Sequence, residues 1–401
     1  MKLETPIRQL LLLLLPFLLV SCLSDSDRVV NGNGGSGGAT FFSDSTTTHL
    51  PSGILTGTSR AVQAADLDND GDLDLAIAVE GEPNIILIND STGNLSDRSD
   101  DLPDQSFDTQ ALAAADYNSD GFIDLFFVSA TDLTNELYLN DGDTTFSDAS
   151  GRMPLTGESR AALAVDFDLD GLPDIAIGNN GQNVIVTNTG NAFFANQSQR
   201  IPQRVGNTWD LATGDLNSDG AVDLVVGNAD ENRLLINIGN GFFNDQTSTR
   251  LPLLIVPEET RDVDLADVDG DGDLDIYFAN VAINFNTSTQ DRLLLNDGQG
   301  FYQDVTQDRL PEISTNTLEA DFADLEGDGD LDIVIGVLEG GIRVFINDGS
   351  GFFTDETDDW IPEGVEPPVT DFVIADFNAD GLLDLYVCSF QSQDLLLMRT
   401  P

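Results

Sequence analysis

The chain has 401 residues, and 71 Asp and Glu against 16 Lys and Arg give it a formal net charge of −55. Such a surface repels phosphate backbones, so no nucleic-acid partner is expected. With 40% hydrophobic residues and 23 Phe, wholesale disorder is excluded; two Cys and one His exclude a disulfide scaffold and histidine-rich zinc chemistry.

The N-terminus reads as an address. Lys2 and Arg8 precede an apolar run over 10–20, too short to span a bilayer and right for a secretory signal core. It ends in Leu19, Val20, Ser21 and Cys22, which resemble a bacterial lipobox. Residues 1–21 are therefore expected to be a lipoprotein signal peptide, with Cys22 acylated; an ordinary signal peptide with an incidental Cys is the alternative. Residues 22–38 then form a Gly-rich tether between the membrane and the folded part. Leu23 and Ser24 are not acidic, which favours the outer membrane, its periplasmic or surface face left open. Cys388 lies in an apolar run and reads as an inert buried thiol.

From residue 39 onward the chain repeats. A pattern D-x-[DNE]-x-D-G-x-x-D starts at Asp66, Asp116, Asp166, Asp215, Asp267, Asp324 and Asp376, at spacings of 49 to 57 residues. A β-branched-rich run follows each copy. Further on come an Asn in a turn (Asn89, Asn140, Asn188, Asn237, Asn296, Asn347), a short aromatic or Leu strand, and a Pro. Four short strands per repeat, with no sustained helical periodicity, is the arithmetic of a β-propeller blade; the Ala-rich first strands suit crowding around an axis. The seventh copy stops after three strands, while Phe41, Phe42, Ser43 and Asp44 match the outer strand at Phe352, Phe353, Thr354 and Asp355. The expected fold is all-β: a seven-bladed β-propeller over 39–401, its ring closed by the N-terminal strand completing the last blade.

Carboxylates at positions 1, 3, 5 and 9 of a loop with Gly at 6 turn oxygens onto one centre and suit calcium, a hard cation tolerant of irregular geometry. The first loop offers Asp66, Asp68, Asp70 and Asp74, with the carbonyl of Asp72. The second offers Asp116, Asn118, Asp120, Phe122 and Asp124, and the third Asp166, Asp168, Asp170, Leu172 and Asp174. The fourth has Asp215, Asn217, Asp219, Ala221 and Asp223; the fifth has Asp267, Asp269, Asp271, Asp273 and Asp275. The sixth has Asp324, Glu326, Asp328, Asp330 and Asp332; the seventh has Asp376, Asn378, Asp380, Leu382 and Asp384. Up to seven calcium ions are expected, in two affinity classes set by position 3. They would cancel a minority of the charge; solvated acidic turns without metal are the alternative. The pattern resembles the FG-GAP/VCBS-type repeat family of calcium-loop propellers, also seen in the head of integrin α chains. It lacks the literal Phe-Gly-Gly-Ala-Pro string. The resemblance implies a surface module for adhesion or ligand binding, with structural calcium.

A ligand is expected on the face opposite the acidic loops, where the longest loop is 279–291 and the longest link between repeats lies near 253–259. Six residues before each acidic loop stand Arg60, Gln110, Arg160, Trp209, Arg261, Leu318 and Thr370. Arg60, Arg160, Trp209 and Arg261 form a partly basic rim for an anionic or sugar ligand, the alternative being local pairing of the arginines with strand acids. Asp262, Asp264, Glu319, Asp321 and Asp371 fall on the other side of the ring, as a hydrated lining, a cation site or a general acid and base for glycoside cleavage. No nucleophile motif or phosphate loop is present, so no catalytic residue is assigned. The leading expectation is a calcium-binding module for a glycan or protein ligand, held to the membrane by its lipid. The alternatives are a carbohydrate-active enzyme and a structural partner in an outer-membrane complex.

Overall fold

In the computed structural model, which describes residues 40–53, 56–103, 105–142, 144–154, 156–254, 256–282 and 289–400, each acidic loop ends in an apolar run that forms a strand. Asp74–Val79, Asp124–Ser129 and Asp223–Asn228 are buried at every position, and so are the equivalent runs elsewhere except at the end of Asp174–Gln182. A strand buried on both faces needs apolar residues throughout rather than in alternation, which is what LDLAIAV and VDLVVG supply.

The described strands group in fours, all antiparallel. Ser59–Ala65, Asp74–Val79, Ile85–Asn89 and Leu95–Asp97 lie side by side in chain order, and the pattern recurs along the sequence. In the middle of the chain, Asn180, Gly181 and Gln182 pair with Asn207, Gly206 and Val205, which joins two such groups edge to edge. The last group takes its outer strand from the start of the chain: Phe42, Ser43 and Asp44 pair with Arg399, Met398 and Leu397. Hydrophobic clusters sit between consecutive sheets. One joins Leu67, Ala76 and Ile86 to Leu125, Phe127 and Tyr138, and another joins Tyr386, Cys388 and Leu396 of the last sheet to Leu75, Ile77 and Leu87 of the first. Cys388 is buried, and burial pushes its thiol well above the usual range.

The outer strands end in single-turn helices that the periodicity does not predict: Thr46–His49, Thr247–Arg250, Thr306–Arg309 and Thr357–Trp360. They are too short to carry a 3.6-residue pattern. The expected signal peptide, Cys22 and the tether lie outside the described residues, as do residues 283–288 of the longest loop.

Candidate metal loops and axial cavity

In the first loop the position-1 carboxylate organises the backbone: Asp70 and Gly71 N–H donate to Asp66, each at 3.1 Å. Gly71 sits at φ +99° with open space where a Cβ would go, so the turn requires glycine for its dihedral, not for room. Three acids converge with oxygens within 4.8 Å of one another in the first loop (Asp66, Asp68, Asp70), the third (Asp166, Asp168, Asp174) and the fifth (Asp267, Asp269, Asp271). These are the loops with Asp at position 3. Among the described residues the sixth, with the longer Glu326, forms no such group.

The donor set fits a cation. Asp168 Oδ1 and Asn217 Oδ1, both at position 3, are buried oxygens without hydrogen-bond partners. Unpaired buried acceptors aimed into a carboxylate loop are what an oxygen-ligated ion satisfies. Arginine already claims part of two sites: Arg200 pairs with Asp168 at 2.9 Å and Arg309 with Asp269 at 3.9 Å. At the corresponding position the first unit carries Asp101, which makes its loop the most cation-favouring of the three.

The ninth-position acids do more than their spacing foretold. Asp74 is fully buried and accepts from Leu67 N–H at 2.8 Å and Asn89 N–H at 2.9 Å, tying the acidic loop to the hairpin turn. Asp124, Asp223, Asp275, Asp332 and Asp384 each take two backbone donors in the same way. Burial raises them to about 7, Asp332 to about 6.

The periodic turn asparagines are hooks between sheets. Asn140 Nδ2 donates to Leu67 O at 2.7 Å, in the preceding sheet's acidic loop, and Asn237 to Phe167 O at 3.1 Å. Asn89 reaches Phe377 O of the last loop at 2.8 Å. In the last unit Arg399 takes this place and donates to Leu325 O. A second clasp lies outside it: Arg152, Arg200, Arg250 and Arg309 sit over the rings of Phe193, Phe242, Phe301 and Phe352, at 4.9, 5.3, 4.8 and 4.4 Å. These phenylalanines are among the few large exposed apolar side chains, and a guanidinium covers each.

At the opposite ends of the innermost strands lies the rim. Each innermost strand carries a register shift, and the extra residues are Arg60, Gln110, Arg160, Trp209, Arg261, Leu318 and Thr370. A bulge turns a residue out of the two-residue alternation, so in every strand but that of Arg160 both it and its successor line one cavity of about 120 Å³, reached by all these strands. The expected rim residues thus meet at one mouth. Three of the acids expected on the inner strands, Asp262, Glu319 and Asp371, line this same cavity, one residue below the rim. Asp210 belongs with them and went unremarked in the sequence, although it follows Trp209 as Asp262 follows Arg261.

Trp209 lies between two guanidiniums, Arg160 at 4.1 Å and Arg261 at 3.6 Å from its ring centre. Each arginine also has a local acid: Arg60 with Glu80, Arg160 with Glu158 at 3.0 Å, Arg261 with Glu259 at 2.7 Å. Below them the carboxylates close the free edge of the next sheet. Asp210 accepts from Val263 N–H at 3.1 Å, Asp262 from Ala320 at 3.1 Å, Asp264 from Phe322 at 3.2 Å, and Asp371 from Val62 at 3.2 Å. An innermost strand is an edge strand with unpaired N–H groups, and these acids satisfy them.

Burial raises these acids, and repulsion from neighbouring carboxylates adds to it at all but Asp264. Asp210 and Asp264 reach about 6, Asp371 about 8, and Asp262, Glu319 and Asp321 shift strongly upward. A carboxyl whose folded pKa is raised leaves stability intact below its unfolded value, near 4, and removes it as pH rises through the folded value. In chelator, the melting temperature is therefore expected to fall as pH rises from about 4 to about 8. Replacing Asp262 and Asp371 by Asn, which keeps both backbone caps, is expected to flatten that slope; an unchanged slope would refute the assignment.

Comparison with curated proteins finds no match. Among solved structures the fold is similar to that of an Agrocybe aegerita lectin that recognises non-reducing terminal N-acetylglucosamine, at 18% identity over 85% of this chain and 88% of that one, with a TM-score of 0.51. It is also similar to BBS1N in complex with ARL6DN (12% identity, 90% and 97% covered, TM-score 0.56) and to YCF48 bound to D1 peptide (13%, 90% and 96%, 0.54). At such identities the likeness is one of propeller fold. In the sequence itself an FG-GAP-like repeat matches at residues 66–127, 116–177, 166–226, 215–278, 280–335 and 327–387. Most of the chain is covered, in the period of the acidic loops: it belongs to the FG-GAP-like repeat family.

Proposed function

We propose that residues 39–401 close into a seven-bladed propeller, stabilised by calcium in its acidic loops, that binds a glycan or protein ligand on the face carrying the axial mouth. Closure is supported by the contacts between last and first sheets: Thr370 Oγ1 donates to Ser59 O at 2.5 Å, and Asp371 caps Val62. Calcium is supported by the three converging carboxylate groups and the unpaired position-3 oxygens. Held in place, the ion would neutralise the mutual repulsion of each loop; the side chains at positions 1, 3 and 5 would ligate it in the first and fifth loops, and those at positions 1, 3 and 9 in the third. The loops lie at one end of the innermost strands and the mouth at the other, so metal supports the scaffold without touching the ligand.

The observation that carries the binding face is the ring of bulged residues, which turns Arg60, Arg160, Trp209 and Arg261 into one mouth. The lectin recognises a glycan, BBS1N is in complex with ARL6DN, and YCF48 holds a peptide, so comparable propellers serve as binding modules. Binding is preferred to catalysis because Asp210, Asp262, Asp264 and Asp371 are engaged as caps of the neighbouring strand's backbone. Acylation of Cys22 would tether this module to the outer membrane, where it would serve adhesion or capture.

Incubating the calcium-loaded protein with acidic and neutral polysaccharides, then sizing both partners by chromatography, tests this. Protein moving with intact polymer is expected for the glycan reading. Shortened polymer would overturn the preference for binding. No change in either directs the search to proteins captured in the presence of calcium and lost in chelator.

A further inference from the structure

The link between Thr247–Arg250 and Thr260–Ala266 keeps apolar side chains in water. Leu253 is 89% exposed, Val256 51% and Leu254 38%. Nowhere else among the described residues are three large apolar side chains exposed within four positions, and such a cluster on a folded surface marks a contact. The base of the link keeps it from folding inward. The buried Arg292 guanidinium donates to Pro252 O at 3.5 Å, Glu258 at 3.0 Å and Asp304 at 2.8 Å, which clamps both ends. Pro252 and Pro257 fix φ near those ends, so the link has little freedom to lose on binding.

The link forms a ridge between two grooves of about 420 and 460 Å³, both lined by Leu253 and Leu254. Asp230 and Glu231 also line the first, and Asp304 and Asp308 the second. Among the described residues Arg292 is the one cation lining either groove, and it is spent on the clamp. Asp230 and Glu231 share Arg204 at 3.5 and 2.9 Å, yet each carboxylate stays more than half exposed, and Asp308 is exposed too.

An apolar ridge between acidic grooves is complementary to a segment with an apolar strip flanked by Lys or Arg. A second copy of this chain brings the same acids at a net charge of −55, and anionic headgroups meet the same repulsion. Neither groove is lined by an aromatic side chain on which a sugar could stack.

We infer that this ridge docks a cationic, apolar segment of a partner protein, with Leu253, Leu254 and Val256 against its apolar strip and Glu231 and Asp308 facing its basic residues. The link leads into the rim end of Thr260–Ala266, so the inference rests on reading that face as the binding face. It adds the partner's chemistry and a place that shares no residue with the axial cavity.

Fluorescence anisotropy of the full chain with a labelled peptide of about twelve residues, Leu and Lys spaced by Gly, tests it at about 150 mM salt. Saturable one-to-one binding is expected, at least about tenfold tighter than with Ser in place of Leu or Glu in place of Lys. Leu253→Ser with Val256→Ser is expected to weaken it about tenfold with the melting temperature unchanged, because both side chains are in water. Glu231→Gln with Asp308→Asn is expected to cost about threefold and to flatten the salt dependence. Ile238→Ser, 70% exposed in a turn beside an acidic loop, should change nothing. No saturation up to about 100 µM peptide, or a double Ser variant that binds like the parent, would overturn the inference. So would a dimer, or binding to phosphatidylcholine vesicles, that the double Ser variant loses, since either assigns the ridge to another occupant. A chain that retains polymer and ignores the peptide refutes the ridge and leaves the mouth standing; peptide bound by a chain that retains no polymer upholds the ridge alone.

Discussion

Stripping divalent ions with a chelator is expected to lower the melting temperature by roughly 10 °C or more. Each site held at a hundredfold over its dissociation constant stabilises by about 2.7 kcal/mol, and three loops converge carboxylates well enough to count. The loss has a structural route. The turn Asn of one sheet donates to a carbonyl inside the preceding sheet's acidic loop, so a loop forced apart by its own charge also loosens its neighbour. Calcium should restore the melt and magnesium should restore much less, because the loops are irregular and all-oxygen. Changing Asp66, Asp166 and Asp267 together to Asn, which keeps a backbone acceptor in each loop, is expected to lower the melt further in calcium than in chelator. A chelated protein that melts like the calcium form would end the metal reading.

The second large effect is expected at a hook. Asn237 donates to Phe167 O at 3.1 Å and Val222 O at 3.1 Å, and its own oxygen accepts from Gly239 N–H at 3.0 Å. Asn237→Ala strands buried backbone groups in two sheets at once, for an expected loss of about 3 kcal/mol. Asn94→Ala, at an exposed position of an equivalent turn, is expected to stay within about 0.5 kcal/mol. Thermal melts of both variants in calcium decide it: equal losses would show that the inter-sheet bond carries nothing.

The repeat made the strand order readable, because each acidic loop marks the same point in a four-strand unit and the apolar runs mark the buried strand. What it left hidden is tertiary. Asn237 stands at its period like any turn residue, but its partner carbonyl is 70 residues upstream, and no local pattern points to it. The clasp arginines left a trace, since Arg152, Arg200, Arg250 and Arg309 recur before a Met, Ile or Leu and a Pro. Their stacking on the next unit's Phe needs the sheets side by side. The bulges were also hidden: one extra residue at Arg60 or Trp209 reads as ordinary strand, yet it brings two successive side chains into the cavity and puts the acids beneath the arginines. Asp210 was passed over because carboxylates are so common here that one more carries no signal.

The outer strand of the last sheet comes from the other end of the chain, with Ser43 bonded to Met398 across 355 residues. During synthesis that strand emerges first and its place is made last, so it waits for the whole array. Closing so long a stretch carries an entropic charge of about 5 kcal/mol, set against only three paired residues. Completion is therefore the late event in folding, and until then Leu395–Arg399 exposes a bare edge. In a crowded solution the first strand of another copy can dock there equally well, and exchanged dimers should grow as the refolding concentration is raised.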